Sequence, residues 1–195
     1  MSVPNHWYER DSRFIAAHQQ PASLIDLCLS RDIDSHRLLR GTGLFHDDIL
    51  RGTSLISPAQ FLQLIDNAQR LLAADDSSFL FGQRLLPGHH GAASQALALA
   101  GTLQQALQLL GEWRALLAPL LTPQVLLDDQ YAYIYWLDSC GVGAQQRFVL
   151  EASSTAIVAL GRQLSGERLP WQFHFRHAQP RYIEQYWLHL GEDLH

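Results

Sequence analysis

The chain has no lysine, only two cysteines and no long hydrophobic run. Its 14 basic residues are therefore all arginines, and against 19 acidic residues they leave a formal net charge of −5 over 195 residues. The arginines are scattered along the chain, whereas non-specific DNA affinity comes from clustered cations that neutralise phosphates. The composition therefore predicts a protein that does not bind DNA by itself.

No apolar run approaches the roughly 18 residues that a membrane-spanning helix needs. The N-terminal sequence MSVPNHWYERDSRF carries early charges and lacks the apolar segment of a signal peptide. We therefore expect a cytoplasmic protein with no membrane partner. Cys28 and Cys140 fit neither a redox nor a zinc spacing, and a disulfide between them is not expected in the cytoplasm.

Motifs for catalysis, phosphate binding and metal binding are also absent from the sequence. There is no Gly-x-Ser-x-Gly elbow, no activated cysteine beside a histidine and no glycine-rich loop after a strand. His89 and His90 are adjacent, and His174 and His177 span a predicted strand and its exit, where two rings diverge. The sequence thus predicts no enzyme activity, no cofactor and no metal, with a histidine-based metal or haem sensor as an alternative hypothesis.

Helix signals dominate the first two-thirds of the chain. Ser57-Pro58-Ala59-Gln60 combines a capping serine, a first-turn proline and the glutamine of a capping box. Thr102 and Gln105 repeat the capping-box pattern ahead of a leucine stripe that continues to Leu117. Other helical segments are predicted near residues 22–30, 35–40, 47–51, 77–86 and 91–100. Residues 1–21, with Trp7 and Tyr8, are predicted to form an N-terminal arm, and residues 22–195 one domain.

The last third of the chain mixes strands with helices. Residues 131–138, YAYIYWLD, alternate between two faces and predict a β-hairpin with the preceding residues 125–127. A long helix is predicted over residues 145–164, with Glu151 close to its buried face. A third strand is predicted over 171–177, and a final amphipathic helix starts at Pro180 and has Tyr186 on its apolar face. The predicted fold class is therefore α+β, with a mostly helical N-terminal two-thirds, a small and mainly antiparallel sheet, and a long packing helix in the C-terminal third.

The tyrosine side of the predicted hairpin has two interpretations. It packs in the sheet core, or it forms one wall of a small-molecule pocket, because such pockets are mostly apolar with a few polar groups. The second interpretation predicts a pocket between the sheet and the central helices. Its candidate ligand-binding residues are Arg84, Trp113, Tyr133, Tyr135, Arg147 and Glu151.

Two stretches of the sequence carry a family resemblance. FGQRLLPGHHGAASQALALAGTLQQALQLLGEW, from Phe81 to Trp113, resembles the central motif of the N-terminal effector domain in a branch of AraC/XylS-type transcription regulators. Within it, residues 81–84, 87–91 and 102–107 match the Leu-Gly-x-Arg-like, Pro-Gly-His-x-Gly and Thr-Leu-x-x-Ala-Leu segments in order. WQFHFRHAQPRYIEQY is similar to the segment near the end of that domain, and the resemblance covers roughly residues 22–195.

The resemblance implies a ligand-sensing and dimerisation domain of a bacterial regulator. Members of the family continue into a DNA-binding part with two helix-turn-helix units, which this sequence does not contain. The implied partners are an unidentified small-molecule effector, a second copy of the chain in a homodimer, and DNA only through that C-terminal domain. A ligand-free protein–protein interaction module that simply dimerises is the alternative hypothesis.

Overall fold

A computed structural model describes residues 9–89 and 91–195, so Trp7, Tyr8 and His90 lie outside the described residues. The described chain folds into α-helices and two small antiparallel sheets, and the α+β prediction is confirmed. The elements in order are β1 (Ile15–Ala16), α1 (Gln20–Leu29), α2 (Ser35–Leu38), α3 (His46–Leu50), β2 (Leu55–Ile56), α4 (Pro58–Leu72), α5 (Ser77–Gly82), α6 (Ala92–Ala98), α7 (Leu103–Glu112), α8 (Arg114–Leu117), β3 (Leu121–Leu127), β4 (Ala132–Asp138), α9 (Gln146–Ser165) and α10 (Ile183–His189).

The predicted start of α4 is confirmed in detail. Ser57 Oγ accepts a hydrogen bond from Gln60 N, and Gln60 Oε1 accepts one from Ser57 N, which completes the capping box. Farther along α4, the buried Asn67 side chain donates to the carbonyl oxygens of Leu38 and Arg40, both at 2.7 Å. These bonds attach the end of α2 to α4 and satisfy carbonyls that the short helix leaves without partners.

Helices α5 and α9 approach each other closely at Gly82. A Cβ atom placed on Gly82 of α5 would lie 2.5 Å from the carbonyl oxygen of Ala152 and 2.7 Å from Thr155 Cβ. The two backbones therefore approach each other at a point where only glycine fits. The predicted end of α9 is confirmed, since Gly166 adopts φ 76° as its C-terminal cap.

The predicted hairpin is formed by β3 and β4, in a register that pairs Leu121 with Asp138 and Leu127 with Ala132. Asp128 Oδ1 accepts hydrogen bonds from the backbone N–H groups of Gln130 and Tyr131 and so closes the turn. These two backbone donors lower the pKa of the Asp128 carboxyl. The two faces of β4 differ in environment, because Ile134 and Trp136 pack against the helical core while the tyrosines face solvent.

Two predicted helices end earlier than expected. The helix predicted over residues 77–86 ends at Gly82, and residues 83–85 form a turn ahead of Pro87, which disfavours a helical conformation in the residue before it. The helix predicted from Thr102 to Leu117 divides at Trp113, whose ψ of 29° interrupts it, into α7 and α8. Thr102 caps α7 as predicted, but the Gln105 side chain accepts from Gly101 N instead of from the capping residue.

The third strand predicted over residues 171–177 is wrong. Phe173 forms a single parallel bridge with Leu194, and backbone hydrogen bonds join Phe173 and Phe175 to Asp193 and His195. The segment thus pairs with the end of the chain and not with the hairpin. Its alternation is nonetheless real, since Trp171, Phe173 and Phe175 pack on a second hydrophobic cluster formed by Phe79, Val158, Tyr186 and Leu190.

Candidate functional site

A small cavity lies behind the hairpin, in the position predicted for a ligand pocket. Trp136 of β4, residues 117–121 and apolar side chains of α4, α5 and α9 line it. Its volume is about 30 Å³, which is room for about one or two water molecules. The cavity is therefore too small for an organic ligand in this conformation.

The six predicted site residues do not come together. Tyr133 and Tyr135 face solvent on the outer side of the hairpin, with 43% and 52% of their surface exposed, and Trp113 and Arg84 are also exposed. None of these four lines the cavity behind the hairpin. Arg147 and Glu151 are the pair that the structure joins, because both lie on α9 one helical turn apart.

Glu151 is the one charged side chain that is buried among the described residues, with 2% of its surface exposed. Its Oε1 atom accepts hydrogen bonds from Tyr186 Oη at 2.5 Å and from Arg147 Nε at 2.9 Å. Its Oε2 atom accepts from Ser78 Oγ at 2.5 Å. A buried carboxylate is costly unless such donors satisfy it, and these three come from α10, α9 and α5. We call Glu151, Ser78, Arg147 and Tyr186 the Glu151 network.

Aromatic rings enclose the Glu151 network on the α10 side. The Arg147 guanidinium lies over the Tyr182 ring at 4.9 Å from its centroid, and its Nη2 atom is buried without a hydrogen-bond partner among the described residues. Burial and the hydrogen bond to Glu151 raise the pKa of the Tyr186 hydroxyl, so Tyr186 stays protonated and donates to the carboxylate. Burial likewise raises the pKa of Tyr182, with the Glu151 charge adding to the effect.

A larger cavity opens beside α10, and we call it the C-terminal cleft. Its volume is about 290 Å³, close to the roughly 300 Å³ at which small-molecule sites begin. It is lined by Phe175, His177, Gln179, Pro180, Ile183, Tyr186, Trp187, Glu192, Leu194 and His195. Tyr186 belongs both to this lining and to the Glu151 network.

His177 is the second link between the C-terminal cleft and the network. Its Nε2 atom lies 2.9 Å from Tyr186 Oη. Because the Tyr186 hydroxyl proton is directed to Glu151, Tyr186 Oη accepts here and His177 Nε2–H donates. Burial lowers the pKa of His177, and the positive charge of Arg147 lowers it further. The ring is therefore neutral near pH 7, with Nδ1 left as an acceptor.

The sequence indicated Glu151 and Arg147 but not the residues that complete the site. Tyr186 was predicted as part of the apolar face of the last helix, and its hydroxyl partner on α9 lies 35 positions away in the chain. The C-terminal cleft does not follow from the sequence, because the alternation of residues 171–177 predicts a strand of the sheet, whereas the segment pairs with residues 193–195. The one available signal was the density of aromatic and histidine side chains between Trp171 and Trp187.

Within residues 9–89 and 91–195, no three His, Cys, Asp or Glu side chains are grouped so as to hold a metal ion. None of the helices found there is long and apolar enough to cross a membrane.

Comparison with known proteins gives one family match. The model of the family described as the arabinose-binding domain of AraC transcription regulator, N-terminal, matches residues 33–195. The match includes the hairpin, α9, the Glu151 network and the C-terminal cleft. No curated protein matches the chain significantly.

Proposed function

This chain belongs to the family of N-terminal arabinose-binding domains of AraC transcription regulators, and we propose that its effector site is the C-terminal cleft. The domain would sense a small molecule there and report its presence through the Glu151 network. Sensing requires a cavity of ligand size and a connection from that cavity to the rest of the fold. The C-terminal cleft offers the first and Tyr186 offers the second.

The observation that carries this proposal is the double role of Tyr186. Its ring lines the C-terminal cleft, and its hydroxyl donates to the buried Glu151 carboxylate. Glu151 in turn accepts from Ser78 on α5. A ligand that moves the Tyr186 ring therefore acts on the α5–α9 pair through two hydrogen bonds.

Two of the predicted site residues keep a role in this proposal. Glu151 positions Tyr186 through its hydrogen bond, and Arg147 positions Tyr182 by lying over its ring, so neither needs to touch the ligand. We assign no ligand contact to Arg84, Trp113, Tyr133 or Tyr135, because they lie on other surfaces of the fold.

The family supports the remaining parts of the proposal. We propose that the domain is non-catalytic, acts in the cytoplasm of a bacterium as a homodimer, and controls a DNA-binding domain joined to it in the same protein. The net charge of −5 and the absence of lysine support a division of labour in which DNA contact belongs to that other domain.

One observation favours the alternative of a ligand-free dimerisation module. The outer face of the hairpin exposes Tyr131, Tyr133, Tyr135, Leu126 and Leu137 together, and large exposed apolar patches mark interaction surfaces. Sedimentation of the purified protein separates the two hypotheses when combined with ligand screening. A firm dimer that no small molecule stabilises would support the module, and a dimer stabilised by a ligand would support the sensor.

The site is tested by a thermal-shift screen of small molecules on the wild type and two variants. A ligand that binds only the folded state stabilises it by about 2.7 kcal/mol at a hundredfold excess over its Kd. Trp187→Ala removes an exposed wall of the C-terminal cleft, while Leu188→Ala changes its exposed neighbour on α10 that does not line it. We expect the shift from a true effector to survive Leu188→Ala and to be lost in Trp187→Ala. A full shift in Trp187→Ala would contradict the placement of the site.

The connection to the Glu151 network has its own test. Tyr186→Phe keeps the ring in the C-terminal cleft and removes the hydroxyl donor to Glu151. Each protein is compared with its own ligand-free form. We expect a bound effector to slow amide hydrogen exchange in α5 and α9 of the wild type. In Tyr186→Phe, the effector should leave the exchange rates of these helices unchanged. Equal protection in both proteins would show that the hydroxyl does not carry the signal.

A further inference from the structure

The C-terminal cleft presents negative charge and hydrogen-bond acceptors. Its described lining contains no arginine, and the chain has no lysine. Glu192 is the acidic side chain of the lining, and His195 Nε2 lies 2.8 Å from Asp193 Oδ1, so this imidazole already has a carboxylate partner. The Glu192 carboxylate is therefore the charged group of the lining that a ligand can pair with.

Two arginines of the surrounding elements are directed away from the C-terminal cleft. Arg168 Nη2 lies 3.2 Å from the carbonyl oxygens of Trp187 and Leu188 and donates to them. Arg147 donates to Glu151, covers the Tyr182 ring and is not part of the lining. Arg176 and Arg181 adjoin lining residues in the sequence but are not themselves part of the lining. An anionic ligand would therefore meet the Glu192 carboxylate and no arginine of the lining.

Hydrogen-bond geometry adds an acceptor to the lining. Tyr186 Oη gives its proton to Glu151 and accepts from His177 Nε2. This leaves His177 Nδ1 with a lone pair on a ring that lines the C-terminal cleft. A ligand that carries N–H donors satisfies this atom, whereas a ligand that carries only acceptors leaves it unpaired.

Aromatic ring faces are the third feature of the C-terminal cleft that favours a cation. Phe175 and Trp187 both line the C-terminal cleft, and 47% of the Trp187 surface is exposed to an incoming molecule. The negative face of an aromatic ring attracts a cation, and tryptophan attracts it most strongly. Aromatic rings beside a carboxylate are the arrangement by which proteins hold ammonium-type groups, with each component contributing a modest share.

We propose that the C-terminal cleft takes a small organic cation, an amine or another positively charged nitrogen group carried on an apolar frame. This inference rests on the proposed function, since it names the ligand class of the same site. The nitrogen group lies toward Glu192 and His177, and the apolar frame packs between Phe175, Ile183 and Trp187. The class excludes acidic effectors and neutral molecules that only accept hydrogen bonds.

The test uses matched triplets of a primary amine, an alcohol and a carboxylic acid on the same frame, such as 2-phenylethylamine, 2-phenylethanol and 3-phenylpropionate. Titrations into isotope-labelled protein follow the indole N–H resonance of Trp187, assigned by its loss in Trp187→Phe. We expect the amine to bind about fivefold more tightly than the alcohol, from one exposed charge pair and one cation–π contact. The acid should bind more weakly than both.

Two variants examine the charge itself. Glu192→Gln should bring the amine's affinity close to that of the alcohol and leave the alcohol's affinity unchanged. Glu184→Gln is the matched control, because this exposed carboxylate also lies near the chain end, on α10, but does not line the C-terminal cleft. It should retain the preference for the amine.

The possible failures are distinguishable. Failure of every amine to shift the Trp187 resonance at millimolar concentration overturns the cation proposal, and so does binding of the alcohol or the acid that is at least as tight as that of the amine. If an alcohol or an acid binds there at least as tightly as its matched amine, the proposed effector site stands without its ligand class. If ligands perturb other resonances and leave Trp187 unchanged, the effector site itself is misplaced and both proposals fail.

Discussion

Gly82 and Gly111 allow one substitution to be compared in two environments. Gly82 is the last residue of α5, where a Cβ atom would lie 2.5 Å from the carbonyl oxygen of Ala152 on α9. Gly111 lies within α7, where the nearest atom to a Cβ would be Val125 Cγ2 at 4.0 Å. Because both glycines are helical, alanine changes their backbone freedom in the same direction, and the space around them differs.

The expected changes in the free energy of unfolding have opposite signs for the two substitutions. At Gly111 nothing opposes the gain in helix propensity, so Gly111→Ala should raise the free energy of unfolding by about 0.5–1 kcal/mol. At Gly82 the new methyl group meets a backbone that cannot rotate away, and overpacking costs about 1–3 kcal/mol. With the cost at the upper end and a propensity gain of at most about 1 kcal/mol, Gly82→Ala should lose about 2 kcal/mol.

Urea unfolding at 25 °C, monitored by tryptophan fluorescence and circular dichroism, measures both changes. Gly161→Ala provides an intermediate case, since its Cβ would lie 3.2 Å from Leu169 Cδ1 and 3.3 Å from Trp171 Cζ2, which are side-chain atoms able to shift. For a chain of this size each kcal/mol moves Tm by roughly 2–4 °C. Equal stability of Gly82→Ala and Gly111→Ala would refute the backbone contact between α5 and α9.

Three further outcomes are expected from the structure. Ser57→Ala should lower the free energy of unfolding by about 1 kcal/mol in a urea titration, because it removes the cap of α4; an unchanged midpoint would contradict this. Glu151→Gln should lower the free energy of unfolding by about 1.5–3 kcal/mol, since the charge that its hydrogen-bond donors face is lost, whereas the exposed Glu167→Gln should have no measurable effect. Burial lowers the pKa of His177 and His189 in the folded state, so the unfolded chain binds protons first. The stability that these two neutral histidines contribute is therefore fully present above the unfolded histidine pKa of about 6.5, and it should fall as the pH drops below that value. Measurements of Tm across that pH range check this, and a Tm that rises on acidification would refute it.

Local signals predicted the helices well where a cap and a stripe coincide. The Ser57–Gln60 pattern gave the start of α4, and Gly166 gave the end of α9, because both depend on bonds between residues a few positions apart. Glu151 was placed near the buried face of α9 from periodicity alone. Hydrophobic periodicity carries this information because it records which side of a helix meets the core.

Long-range pairing was not predictable in the same way. The alternation of residues 171–177 is that of a strand, but a strand needs a partner, and the described partner is the short segment that ends at His195. Alternation likewise separated the tyrosines of β4 from Trp136. The interpretation of the tyrosine side as sheet core or pocket wall is wrong, because the opposite side packs against the core. Tyr186 and Glu151 meet across 35 positions of sequence, and no local pattern encodes that contact.

The close approach of α5 and α9 also has a mechanical consequence. Backbones that touch at Gly82 cannot slide past each other by repacking side chains, so we expect the two helices to move together as one body. Ser78 and Glu151 sit on that body, one on each helix, while Tyr186 belongs to α10 outside it. The Tyr186–Glu151 hydrogen bond thus connects the α5–α9 pair to α10. On the proposed function, a ligand of the C-terminal cleft and a partner bound to the α5–α9 pair are coupled through this hydrogen bond. By thermodynamic reciprocity, each then changes the affinity for the other by the same factor.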